Sequence, residues 1–224
     1  MESLVTKVKQ TMRILASEAD IQAAVGSLVA TEPRFAAVVK AHGHPPLRRM
    51  EDGLEGLLRI ITDQLISLHA GAAIWRRVTA ELAPFEPTRI SRKRETSLMK
   101  LGLSGAKARS FKAVAAAVAS GTLNFKILEQ RPDHEVLAAL TALKGIGPWT
   151  ADIYLLCAMG RADAWPAGDL ALQAAAHHLF DLDARPSQRR LIELAETWRP
   201  WRSVAARLLW SHYRGLKGMS QTVA

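Results

Sequence analysis

The chain, 224 residues long, predicts an all-α protein on three observations. Apolar residues recur three and four apart through nearly every patterned segment, the spacing of one helix face. Alternating β-branched runs and Asn-Gly hairpins are absent. Breakers such as His42-Gly43-His44-Pro45-Pro46, Pro84 with Pro87, and Gly102-Leu103-Ser104-Gly105 cut the chain into helix-length pieces.

In order, Glu2–Ala16 is expected to be helical, with Leu4, Val5, Val8, Met12 and Leu15 on its apolar stripe. Ser17 is the N-cap of the next helix, and Glu18 and Asp20 in its first turn suit the helix dipole. Thr31-Glu32-Pro33 interrupts, and Phe35–Ala41 is a short helix. Beyond the His42–Pro46 loop, Leu54, Leu57, Leu58, Ile61, Leu65 and Leu68 make a strong stripe. A boundary near Leu68–Gly71 separates it from a helix over Ala70–Leu82. Thr88–Leu101 is short and irregular. Ser104 caps a helix over Ala106–Ala119 that Gly121 ends. Phe125–Glu129 and Asp133–Ala142 follow, with Pro132 at the break. An apolar helix runs from Pro148 to about Met159. Leu170–Phe180, Ser187–Thr197 and Trp201–Tyr213 close the pattern before a loose tail.

Hydrophobic content of 49% and charged content of 23% are ordinary for a soluble globular protein. One cysteine, Cys157, excludes an intrachain disulfide framework, an iron–sulfur cluster and a cysteine-based zinc site. The first residues lack the pattern of a signal peptide, and no stretch has the length of a membrane span. The expectation is a soluble protein, cytoplasmic or nucleoid-associated in a bacterium and nuclear in a eukaryote, with no membrane partner. The net charge is +9, and Lys and Arg concentrate in Glu86–Lys112 and Arg185–Lys217. Such clusters fit a phosphate backbone; a solvated basic surface fits them as well. His177 and His178 do not share a helix face, and His42, His44, His69, His134 and His212 are scattered, so no metal-catalysis reading follows.

The most informative stretch is Leu143–Leu172. Its opening turn, Leu143-Lys144-Gly145-Ile146-Gly147, joins two helices, and Gly145 and Gly147 can take backbone angles that other residues avoid. Pro148 suits a first helical turn, whose N–H groups and dipole favour an anion. The turn is therefore a candidate phosphate cradle, or a tight corner between helices. Asp169 heads a later helix, as a catalytic carboxylate, an N-cap, or both.

LKGIGPWTA followed by PAGDLAL resembles the helix–hairpin–helix (HhH-GPD) DNA glycosylases, most of all their DNA-3-methyladenine glycosylase II branch. LRIITDQLISLHAGAAIW, GLSGAKARSFKAVAAAV and WRPWRSVAARLLW are similar to further blocks of that family in the family's order, spanning roughly residues 50–214. The resemblance implies a two-lobed helical fold with the active site in the interlobe cleft. Residues 1–50 would pair with 161–224 in one lobe, and 51–160 would form the lobe carrying the hairpin. It is similar to the smaller all-helical members, without an N-terminal β-rich domain.

By position, the resemblance makes Asp169 the catalytic residue, stabilising an oxocarbenium-like deoxyribose as the base leaves. The bifunctional members carry a Lys two residues past the second Gly; here that place is Trp149, which implies a monofunctional hydrolase. Trp149 and Trp210 match aromatic positions of a pocket that attracts a cationic alkylated purine. A representative of the family has a Tyr four residues after the Trp; here that place is Ile153, with Tyr154 next along. Core packing is the rival reading for Trp149, Tyr154 and Trp210. Leu65, preceded by Gln64, matches the wedge that fills the stack after a base flips, although Leu65 also lies on the apolar stripe. Gly145, Ile146 and Gly147 would bind phosphate. The main-chain carbonyls of Thr141, Leu143 and Ile146 would hold a monovalent cation, Na or K, with no catalytic cofactor and no iron–sulfur cluster. The implied partner is duplex DNA containing alkylated bases, bound by a monomer. A non-catalytic helix–hairpin–helix module and a glycosylase for oxidised or deaminated bases are the alternatives.

Overall fold

A computed structural model describes residues 12–218. Thirteen α-helices are described: α1 Glu18–Thr31, α2 Arg34–His42, α3 Gly53–Asp63, α4 Leu68–Leu82, α5 Pro87–Arg92, α6 Glu95–Met99, α7 Gly105–Ala119, α8 Phe125–Leu128, α9 Asp133–Thr141, α10 Pro148–Ile153, α11 Leu170–Leu179, α12 Gln188–Ala195 and α13 Arg202–Leu216. α10 continues as a π-helical turn, Tyr154–Ala158, and a 3₁₀ turn, Glu196–Trp198, follows α12. Among the described residues there is no strand, only an isolated antiparallel bridge between Ile14 and Arg161. No helix among them is long and apolar enough to cross a membrane.

The chain forms two compact units: the described residues of Met1–Arg49 with those of Gly160–Ala224, and Met50–Met159. In the first unit α13 packs on α11, α2 and α1. The centre of this unit is aromatic: Trp198 lies 5.4 Å from each of Phe35, Phe180 and Trp165 between ring centroids. In the second unit α3 is central, against α4, α7 and the π-helical turn, and buries Leu57, Leu58 and Ile61. At about 25 cal/mol per Å² of apolar area, each such side chain contributes roughly 1.5–3 kcal/mol before entropy is counted.

Local signals explain many boundaries. Ser17 and Asp20 form a capping box, in which Ser17 Oγ accepts from Asp20 N at 3.2 Å and Asp20 Oδ2 from Ser17 N at 2.9 Å. Ser67, Ser104 and Ser187 cap α4, α7 and α12 by accepting a backbone N–H of the first turn, without the reciprocal bond.

Three expectations are corrected. The first part of the expected helix Glu2–Ala16 lies outside the described residues, and its end is extended rather than helical. There Leu15 N donates to Gly160 O and Ala162 N to Arg13 O, both at 2.8 Å. The stripe running to Leu68 is cut at Asp63, where α3 ends: Gln64 leaves the helix with a ψ of 127°, and Leu65 follows at a left-handed φ of 55°. The helix over Pro148–Met159 is α-helical only to Ile153; Met159 N bonds Tyr154 O, a five-residue step.

Candidate active site and nucleic-acid interface

In the Met50–Met159 unit the hairpin Leu143–Gly147 joins α9 to α10. Gly145 has φ +84°, and a Cβ built there would fall 1.9 Å from Ser110 Oγ of α7. Both facts demand glycine for the fold alone. Gly147 differs from expectation: its φ of −93° is open to any residue, and a Cβ there would meet nothing within 4 Å. Among the described residues nothing requires glycine at that place. Ile146 is buried, and its N–H closes the turn on Leu143 O at 3.1 Å. Leu143's carbonyl, which accepts this bond, keeps a second lone pair.

Past α3 the chain turns sharply. Gln64 donates its amide to Thr150 Oγ1 at 2.8 Å and reaches Gly145 O at 3.5 Å, so it braces the hairpin instead of projecting beside Leu65. Leu65 is 99% exposed, and core packing is excluded for it. Ile66 and Leu68 are exposed next to it. An apolar tip held out in water at a strained φ has no folding rationale of its own.

Tyr154 is corrected. It is 1% exposed, its ring lies 5.6 Å from that of Phe125, and its hydroxyl donates to Asp52 Oδ1 at 2.5 Å while accepting from Gly53 N at 2.9 Å. It pins the start of α3 and offers no face to a base. Burial, and then the neighbouring Asp52 carboxylate, push its pKa well above the ordinary phenol value. Trp149 is half-buried.

In the other unit Asp169 is the N-cap of α11. Its Oδ1 accepts from Ala171 N at 2.9 Å, Leu172 N at 3.0 Å and Trp210 Nε1 at 3.2 Å. The cap role is thus present, and the indole of α13 joins it. Trp210 is half-buried and belongs to the carboxylate's surroundings, not to the sealed core. The loop delivering Asp169 is fastened to α13. Ser203 Oγ donates to Arg161 O at 2.6 Å and Ala164 O at 2.9 Å, and Arg202 chelates Asp163 at 2.8 and 2.9 Å. Gln173 Nε2 reaches Ala167 O at 3.2 Å. Sequence reasoning missed Ser203 and Arg202, whose partners lie about forty residues away.

Much of the clustered positive charge has partners inside the protein. Arg189 and Arg190 pair with Glu193, and Arg199 and Arg202 with Asp163 and Glu196. Arg207 is buried and bonds Pro46 O at 3.3 Å. In the earlier cluster Lys93 pairs with Glu81, and Lys107 and Lys112 donate to the carbonyls of Thr62 and Lys93. Three histidines far apart in sequence converge: His212 Nε2 lies 3.0 Å from His178 Nδ1, and its ring centroid is 6.3 Å from that of His42. Burial, with His178 and His42 adding to it, lowers the His212 pKa. No group of three or more His, Cys, Asp or Glu among the described residues is placed to hold a metal ion.

Compared with known proteins, residues 58–200 match a family model described as the HhH-GPD superfamily base excision DNA repair protein. The chain belongs to the HhH-GPD superfamily. Over 219 residues, 93% of its length, it is 32% identical to the probable bifunctional transcriptional activator/DNA repair enzyme AlkA of Mycobacterium tuberculosis, and it spans 43% of that relative. It is 30% identical over 171 residues to DNA-3-methyladenine glycosylase 1 of Schizosaccharomyces pombe, covering 74% of this chain and 75% of the relative. In structure it is similar to the S. pombe 3-methyladenine DNA glycosylase in complex with abasic DNA, with a TM-score of 0.78, 27% identity and coverage of 87% of this chain and 96% of that one. The all-helical architecture is that of HhH-GPD glycosylases. Within the HhH-GPD match lie Leu65, the hairpin, Trp149 and Asp169; Trp210 lies beyond it.

Proposed function

We propose that the protein is a monofunctional DNA glycosylase of base excision repair, hydrolysing the N-glycosidic bond of alkylated purines such as 3-methyladenine and 7-methylguanine flipped out of duplex DNA. The observation that carries this reading is Asp169 in an HhH-GPD chain, its Oδ1 held by two backbone N–H groups and the Trp210 indole. The names of its 3-methyladenine glycosylase relatives support the same substrate class.

In the proposed reaction the C1′–N bond breaks with its electron pair leaving on the base. An alkylated purine is already cationic, so it departs neutral and no strong acid is required. Positive charge grows on the deoxyribose, and the fixed Asp169 carboxylate stabilises it. Water then adds to C1′ and loses a proton. Trp210, beside the Asp169 carboxylate, is the proposed electron-rich ring for the cationic base, and Trp149 is proposed as an aromatic contact on the resemblance alone. Leu65 fills the gap left in the stack. Gly145, Ile146 and Gly147 receive phosphate, and a monovalent cation on the carbonyls of Thr141, Leu143 and Ile146 would add positive charge there. Trp149 stands where a lyase needs an amine, so no Schiff base forms. The proposed partner is alkylated duplex DNA, bound by one copy of the chain.

Release of free 3-methyladenine and 7-methylguanine from alkylated duplex tests the reading. Wild type releases both, and borohydride traps no covalent adduct. DNA binding without any base release would favour a non-catalytic module, and a trapped adduct a lyase.

A further inference from the structure

Lys107 of α7 donates its ammonium to Thr62 O at 2.8 Å. Thr62 is the penultimate residue of α3, and the last carbonyls of a helix have no partner within it. A cation there also faces the negative end of the helix dipole. Burial lowers the Lys107 pKa, with the Asp63 carboxylate opposing the fall, as expected of an ammonium withdrawn from water. One turn on, and on the same face of α7, Ser110 abuts Gly145 of the hairpin.

Immediately after Thr62 the chain enters the turn that throws Leu65 into solvent at φ 55°. A non-glycine residue persists there only where its surroundings hold it. Those surroundings are closely fitted. Asp63 pairs with Arg59 at 2.8 Å, and a Cβ on Gly71 would fall 2.2 Å from Asp63 Oδ1. Gln64 is tied to Thr150 at 2.8 Å, and Ser67 Oγ accepts from Ala70 N at 3.2 Å to restart the helix. Of these restraints only Lys107 comes from the helix that also carries the hairpin's backstop.

We propose that Lys107 is a positioning residue for base flipping, acting through the Thr62 carbonyl to hold Leu65 projected in fixed register with the phosphate-binding hairpin. This inference rests on the reading of Leu65 as the DNA wedge. It also removes Lys107 from the set of phosphate ligands, although its charge falls within a basic cluster.

The experiment uses the full chain on a duplex with one alkylated purine beside 2-aminopurine, whose fluorescence rises on unstacking. Flipping amplitude per bound complex and the single-turnover rate are measured for wild type, L65A, K107M, K107R and L65A/K107M. Loss of a charged hydrogen bond predicts about a tenfold fall in rate for K107M, with reduced amplitude, unchanged affinity for undamaged duplex and recovery in K107R. In the L65A background K107M adds no further loss, because both act through one side chain. Flipping at the wild-type level in K107M, or an equal further loss in L65A/K107M, overturns the inference while leaving the wedge intact. An L65A variant that flips normally overturns the wedge reading and this inference with it.

Discussion

At Asp169 a single carboxylate oxygen accepts three donors, two from the helix it caps and one from the Trp210 indole. The cap fixes the side chain against the backbone, and Trp210 fixes it against α13. Orientation of this kind lowers the reorganisation needed when charge develops nearby. W210F keeps an aromatic ring and removes the donor; it should lower single-turnover base release about tenfold with little change in melting temperature. Equal activity would mean that the indole N–H has no part in aiming the carboxylate. Tyr154, expected in the pocket, shows the opposite fate for an aromatic residue. Its folded pKa lies above the ordinary value of 10.0, so the stability it contributes is whole below pH 10 and is lost as pH rises beyond it. Thermal unfolding of wild type is therefore expected to shift down above about pH 10. In Y154F, which cannot ionise, that portion of the decline is missing.

At the scale of elements, the two hairpin glycines are expected to separate folding from the proposed recognition of phosphate. G145A drives a Cβ into Ser110 at a left-handed φ and should cost about 2 kcal/mol or more, read as a lower denaturation midpoint. G147A has room and an ordinary φ, so its stability should stay within about 0.5 kcal/mol of wild type while affinity for duplex DNA falls. If G147A binds DNA as wild type does, the proposed approach of phosphate at this turn fails. The hairpin and Asp169 were legible in the sequence because their signals are local: glycines, a proline and a carboxylate at short separations. Leu65 was half legible, since apolar periodicity ran through a point where the backbone leaves the helix. Tyr154, adjacent to Ile153 at the expected pocket position, could be assigned only once its hydroxyl had found Asp52, about a hundred residues earlier. Lys107, Ser203 and Arg202 were illegible for the same reason. A cation's partner, carbonyl or phosphate, is a fact of tertiary structure, and the charge pattern looks the same for both.

At the scale of the whole molecule, the number of clustered Lys and Arg overstates the cations available to the proposed DNA partner, because many of them are already engaged within the protein. Arg189, Arg190, Arg199 and Arg202 have carboxylate partners, and Lys107 and Lys112 have carbonyls. Each phosphate neutralised contributes about 0.9 to the slope of log affinity against log salt. The measured slope is expected to be much shallower than one contact per clustered cation; a slope that accounts for every one of them would contradict these pairings. On the acid side, the convergence of His42, His178 and His212 has a consequence for the entire fold. The His212 pKa is lowered from 6.5, so its contribution is present above that value and lost as pH falls below it. H212Q should flatten the fall in melting temperature below about pH 6.5.

The central claim is that Asp169 does chemistry in addition to capping a helix. The most direct measurement is single-turnover release of 3-methyladenine from alkylated duplex by wild type and D169N, with melting temperature and duplex affinity measured alongside. Asparagine keeps an oxygen for the cap and loses the charge. A fall of about 10²–10³ in the rate of D169N is expected, with folding and binding retained. A D169N protein that releases base at the wild-type rate would contradict the central claim.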